Sequence, residues 1–213
     1  MSLGIPRLCW AMSDEVPGPG PAFPWGRFFT AAERVFMIAI CDRLIPASAL
    51  GPGAIQTGIP QFIDRHMASP YALGELWYRQ GPFIEASKLF GYQGPLSLSQ
   101  ILREGIRETD EHCRCSYRSL FAQLTVAEQE TVMRQLEGGE LQFRAIDSAR
   151  FFTMLLAEVR MGYFADPVHG ANVDMGSWEM IGYPGFPGDY REAIRERAKP
   201  YAGRTQSLSE AGR

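Results

Sequence analysis

DSARFFTMLLAEVRMGYFADPVHGANVDMGSWEMIGYPGFPG, residues 147–188, joins the most apolar helix-like segment of the chain to its most unusual loop, and this junction decides the fold. Phe151, Phe152, Met154, Leu155, Leu156, Val159, Met161, Tyr163 and Phe164 point to every side of a 3.6-residue helix. A helix apolar all round is a buried one. This one is too short to cross a bilayer and is interrupted by Glu158 and Arg160, so it reads as the central helix of a helical domain, with Asp147 as its N-cap.

Beyond Asp166-Pro167 the helical periodicity stops for about twenty residues, a length that inside a compact domain marks a functional or a disordered loop. Gly170, Gly176, Gly182, Gly185, Gly188, Pro184 and Pro187 are set there among Met175, Trp178, Met180, Tyr183 and Phe186. Disorder goes with low hydrophobicity, and this loop is rich in aromatic residues and methionine, so it is expected to be ordered.

Working outward, one start signal recurs. Thr30-Ala-Ala-Glu33, Ser97-Leu-Ser-Gln100 and Thr125-Val-Ala-Glu128 each have the capping-box spacing, in which the first side chain accepts from the amide three residues on and the last reaches back. The first predicts a helix with Val35, Ile38, Ala39, Leu44 and Ile45 on its core side, ended by Pro46. The second predicts a long helix over 97–124. Its core side carries Ile101, Leu102, Ile106, Cys113, Tyr117, Leu120, Phe121 and Leu124, and its solvated side interleaves Arg103, Glu104, Arg107, Glu108, Asp110, Glu111, Arg114 and Arg118. The third helix stops at Gly138-Gly139. Pro60 opens a short helix, PQFIDRHMA, with His66 in its last turn as a favourable C-terminal charge, and residues 70–90 hold one or two short helices. With no convincing alternating run of β-branched residues, the fold class is all-α.

The Pro/Gly-rich residues 1–27 read as an N-terminal arm, 28–198 as one helical domain ending in the exposed helix DYREAIRERA at 189–198, and 199–213 as a frayed polar tail. A chain of 213 residues suits one domain with a sizeable core. Net charge −3 without a basic stripe argues against nucleic acid, and no apolar run is long enough for a transmembrane helix. The start of the chain shows no Arg-Arg pair and no h-region, hence no visible signal peptide. Cys9, Cys41, Cys113 and Cys115 match no zinc spacing; they read as buried or free thiols, or, in an oxidising compartment, as a bridge from Cys41 to Cys113 or Cys115.

No flavin or nicotinamide glycine fingerprint, covalent-haem motif, iron–sulfur spacing or hydrolase motif is present. What remains is a polar quartet, Asp166, His169, Asn172 and Asp174. As chemistry, His169 with Asp166 or Asp174 is a general base or part of a metal site. As structure, Asp166, Asn172 and Asp174 brace the loop through side-chain to backbone hydrogen bonds. A haem or metal carrier using His66, His112 or His169 has no spacing in its support.

FFTMLLAEVRMGYFADPVHGANVDMGSWEMIGYPG, with FFTAAERVFMIAICDRLIPA and GPGAIQTGIPQFIDRHM upstream, resembles the gluconate 2-dehydrogenase subunit 3 family, the small subunit of periplasmic, membrane-associated flavin-dependent sugar and sugar-acid dehydrogenases. Two positions depart from the family pattern: Ala171 stands where a second glycine is usual and Val173 where a basic residue is usual. The resemblance implies a non-catalytic subunit with no cofactor of its own. Its partner would be a large subunit of the glucose-methanol-choline type carrying FAD, with a multihaem cytochrome c as a third subunit holding haem c, and a cytochrome or quinone as acceptor. It also implies a periplasmic location, at the inner membrane through those partners. His169, Asn172, Asp174, Met175, Trp178, Tyr183 and Phe186 are then the expected partner interface, with Trp178, Tyr183 and Phe186 as its anchors.

Overall fold

The computed structural model describes residues 24–26, 28–84, 87–186, 194–195 and 205–208. The N-terminal arm before Pro24 and most of the expected helix over 189–198 lie outside them; Ile194 and Arg195 are helical. Seven α-helices are described: α1 (Ala31–Leu44), α2 (Ile59–Met67), α3 (Pro70–Leu73), α4 (Leu98–Tyr117), α5 (Val126–Gly138), α6 (Ser148–Tyr163) and α7 (Gly176–Ile181). Among the described residues the only β pairing consists of isolated bridges, and no helix is long and apolar enough to cross a membrane.

The helix starts follow from local chemistry. Thr30, Ser97 and Thr125 each accept the amide three residues on, and Glu33, Gln100 and Glu128 return the bond, closing all three boxes. Asp147 caps α6 by accepting from the Arg150 amide at 2.8 Å. Gly139, at φ 71°, closes α5 in the left-handed region that glycine enters without a Cβ penalty.

Several expectations need correction. The buried side of α1 is Phe36, Met37, Ile40 and Cys41, whereas Val35 is exposed. With apolar residues on almost every side, periodicity alone could not choose the face. The helix over 97–124 stops at Tyr117, where Arg118 turns left-handed (φ 55°), and Phe121–Gln123 form a 3₁₀ turn. That turn is gripped from both sides: the Phe121 amide donates to Asp110 at 3.0 Å, its carbonyl accepts from buried Gln129 at 3.0 Å, and its ring meets Phe36 at 5.0 Å. Asp110 and buried Glu108 are therefore not part of a simple solvated face; Glu108 accepts the Arg144 and Ala145 amides. Burial raises the Asp110 pKa, opposed by the Phe121 N–H and by Arg114.

α6 is the central helix, packed on α5, α2 and α4. Two close approaches seat it. A Cβ on Gly105 of α4 would overlap the fully buried Phe151 ring, and one on Gly162 would lie 2.6 Å from the Phe62 ring of α2. It is not buried all round, however: Met161 and Phe164 are each 45% exposed at its C-terminal end. The loop beyond is ordered, as expected, but it contains two 3₁₀ turns (Pro167–His169 and Val173–Met175) and α7. Within the expected frayed tail, residues 205–208 lie against this loop, Phe186 N–H donating to the Gln206 carbonyl at 2.8 Å and Leu208 N–H to Asp166 at 2.8 Å.

Candidate functional site

Asn172 holds the loop together. It is fully buried; its amide nitrogen donates to the Ala165 carbonyl at 3.0 Å, and its oxygen accepts from the Ser177 amide at 3.1 Å and the Ser177 hydroxyl at 2.6 Å. Trp178, 5% exposed, donates its indole N–H to the Phe164 carbonyl at 2.9 Å and meets Tyr183 edge-on at 5.0 Å. These bonds return the loop onto the last turn of α6. They also balance strain, since Asn172, Asp174 and Met175 all sit at positive φ (49°, 57° and 57°), at about 1 kcal/mol or more each for a residue with a Cβ. Where the sequence departs from the family pattern, Ala171 is fully buried and Val173 donates its amide to the Thr57 carbonyl at 3.4 Å.

Of the residues singled out as an interface, Asn172, Met175 and Trp178 are thus turned inward, and His169, Asp174, Tyr183 and Phe186 are exposed. Asp166 braces the chain: one carboxylate oxygen accepts from the Val168 amide at 2.9 Å and the other from Leu208. Each oxygen is thus used in bracing, and among the described residues no hydrogen bond joins Asp166 to the His169 ring. Asp174 is exposed on a left-handed backbone.

The structure brings His169 instead to a cleft of about 590 Å³, shared with Phe62, Arg65 and His66 of α2, Met161 of α6, Ala165 and Asp166. His66 is not a simple helix-end charge. Its Nδ1 lies 2.7 Å from Oε2 of Glu158, a buried carboxylate of α6, and its ring stacks on Tyr71 at 5.8 Å. A carboxylate only accepts, so Nδ1 carries the hydrogen and the ring is held in one orientation. Arg65 donates to the Pro24 carbonyl at 2.8 Å and to the Gly170 carbonyl, and burial lowers its pKa, against the pull of Asp64. The pair was visible only as an oddity, a carboxylate interrupting an apolar helix, and such a group is retained inside only with a partner.

A second cleft of about 360 Å³ holds Glu108, Glu111, His112, Cys115 and Glu140, with burial lowering the His112 pKa. Among the described residues, no group of three or more His, Cys, Asp or Glu side chains is placed to hold a metal ion. Cys41, Cys113 and Cys115 are free, so the bridges weighed for Cys41 are not formed; Cys9 lies outside the described residues. Burial pushes the buried thiols up, Cys113 to about 12. They are inert packing groups.

The sequence profile of the family described as Gluconate 2-dehydrogenase subunit 3 matches residues 31–185, from the first residue of α1 to the end of the loop. No curated protein and no solved structure matches the chain.

Proposed function

The chain belongs to the gluconate 2-dehydrogenase subunit 3 family, and from that premise we propose that it is a non-catalytic small subunit, binding and stabilising the FAD-bearing subunit of a periplasmic dehydrogenase for gluconate or a related sugar acid or polyol. The family match carries this reading, because it covers the helices, the cleft and the loop together. In the assembly the large subunit, of the glucose-methanol-choline type, holds the flavin and recognises the substrate. A multihaem cytochrome c takes the electrons onward, and the complex stays at the inner membrane through these partners. The small subunit supports folding and export of the large one. The loop supports the reading too: Asp166 and Asn172 are used in bracing, and among the described residues the His169 ring is hydrogen-bonded to neither Asp166 nor Asp174.

The chain purified alone is expected to show no flavin absorbance and no gluconate oxidation. Co-expressed with a flavin-bearing large subunit of the glucose-methanol-choline type, it should co-purify with it and raise the yield of flavin-loaded enzyme. His169→Ala, at an exposed position, should leave turnover per bound flavin within about twofold of wild type, as for a surface substitution away from the chemistry. A His169→Ala complex that is fully assembled and flavin-loaded yet inactive would overturn the proposal.

A further inference from the structure

The most exposed large apolar side chains are not concentrated on the loop. Within twenty consecutive residues, 71–90, eight large apolar side chains are exposed: Leu76 is 72% exposed, Tyr78 88%, Leu89 94% and Phe90 72%, with Tyr71, Leu73, Phe83 and Ile84 beside them in the chain. This strap begins in α3 and returns to the start of α4, and beyond α3 its described residues hold one 3₁₀ turn, Lys88–Phe90. It is fixed at both ends. Arg79 donates to the Leu73 carbonyl at 3.2 Å and the Pro95 carbonyl at 2.5 Å, and Tyr71 is clamped between the His66 ring and the edge of Trp77 at 5.3 Å.

Residues with no role outside the chain do not present such a surface. At roughly 200 Å² for each of these large side chains, the exposed fractions along the strap sum to on the order of 1,000 Å² of apolar residue surface, whereas an ordinary monomer patch is a few hundred Å². One partner's share of a stable protein–protein interface is about 800 Å², so the strap alone suffices. Its charges, Glu75, Arg79, Glu85 and Lys88, balance, and Arg79 is already engaged with backbone carbonyls. Anionic lipid headgroups are drawn by a basic excess, which the strap lacks.

We infer that the described residues of the strap, 71–84 and 87–90, form the surface through which this chain docks on the flavin-bearing subunit, the loop after α6 serving mainly to hold the chain's own fold. The inference rests on the accessory-subunit reading for the identity of the partner. Through Tyr71 the strap continues into His66 and the cleft, whose far wall carries half-exposed Met161. The footprint therefore extends from the strap across the mouth of the cleft.

The test compares two multiple variants co-expressed with the flavin-bearing large subunit. Leu76→Ser, Tyr78→Ser, Leu89→Ser and Phe90→Ser together remove the most exposed strap anchors; Tyr183→Ser with Phe186→Ser does the same on the loop. The strap variant should keep the wild-type unfolding temperature and lose affinity for the flavoprotein by about 100-fold or more, while the loop variant loses less than about tenfold. Strap amides should also gain hydrogen-exchange protection in the wild-type complex. A strap variant that binds the flavoprotein like wild type overturns the inference and leaves the family reading standing. If wild type binds no flavoprotein, both fall. If the isolated chain is a dimer, or binds vesicles of anionic lipid, and the strap variant loses that property while still binding the flavoprotein, the strap belongs to a second copy or to a membrane, and the inference is overturned.

Discussion

Trp178→Ala is expected to lower the unfolding temperature of the isolated chain by roughly 10 °C, the equivalent of about 3–5 kcal/mol in a protein of this size. The indole is 5% exposed, so its removal leaves a cavity, and the Phe164 carbonyl loses its donor. Tyr183 loses its edge-on neighbour. The strained turn at Asn172, Asp174 and Met175 then has less to hold it, and proteolysis between 165 and 186 should accelerate in parallel. As a partner-facing anchor, Trp178 would give a different result: an isolated chain of unchanged stability and a defect seen only in the complex. An unchanged melting curve for the Trp178→Ala chain would therefore refute its structural role.

Asp64 carries the second large effect. It is fully buried in α2, and its Oδ1 accepts the Phe28 and Phe29 amides at 3.0 and 2.7 Å, fastening the residues that lead into α1. Its other oxygen has no hydrogen bond and faces the Arg34 guanidinium at 3.9 Å. Asp64→Ala strands two amide donors and removes the carboxylate that faces Arg34, for a cost of about 3 kcal/mol and a fall of roughly 6–12 °C. Asp64→Asn keeps an acceptor for the two amides but sets a second donor against the guanidinium, so it should fall between alanine and wild type. The order wild type, Asn, Ala in calorimetric midpoints is the expected result, and an alanine variant melting within about 2 °C of wild type would contradict it.

What could be read in the sequence divides by distance along the chain. The three capping boxes, the Asp147 cap and the Gly139 stop are contacts over three or four residues, and each is in the structure as the spacing predicts. The end of α4 was out of reach because it depends on Asp110 and Gln129 holding Phe121 across eleven and eight residues. The His66–Glu158 pair spans ninety-two, and only the anomaly of Glu158 within an apolar run hinted at it. The polar quartet was recognised as a group, but its members divide by burial. Asn172 faces inward and His169 outward, a difference that residue type cannot convey. The strap was missed as a surface for a related reason: whether a leucine, tyrosine or phenylalanine is covered or exposed cannot be told from its type.

Arg65 has a consequence for how two distant segments of the chain feel one another. One guanidinium grips the carbonyl of Pro24, where the described chain begins, and that of Gly170, at the crown of the loop after α6. Two segments nearly 150 residues apart thus share a single cation, and the free energy that orders one depends on whether the other is in place. Such thermodynamic linkage is reciprocal: a binding partner or chaperone that seizes the leading segment tugs at the loop, and one that settles on the loop steadies the leading segment by the same amount.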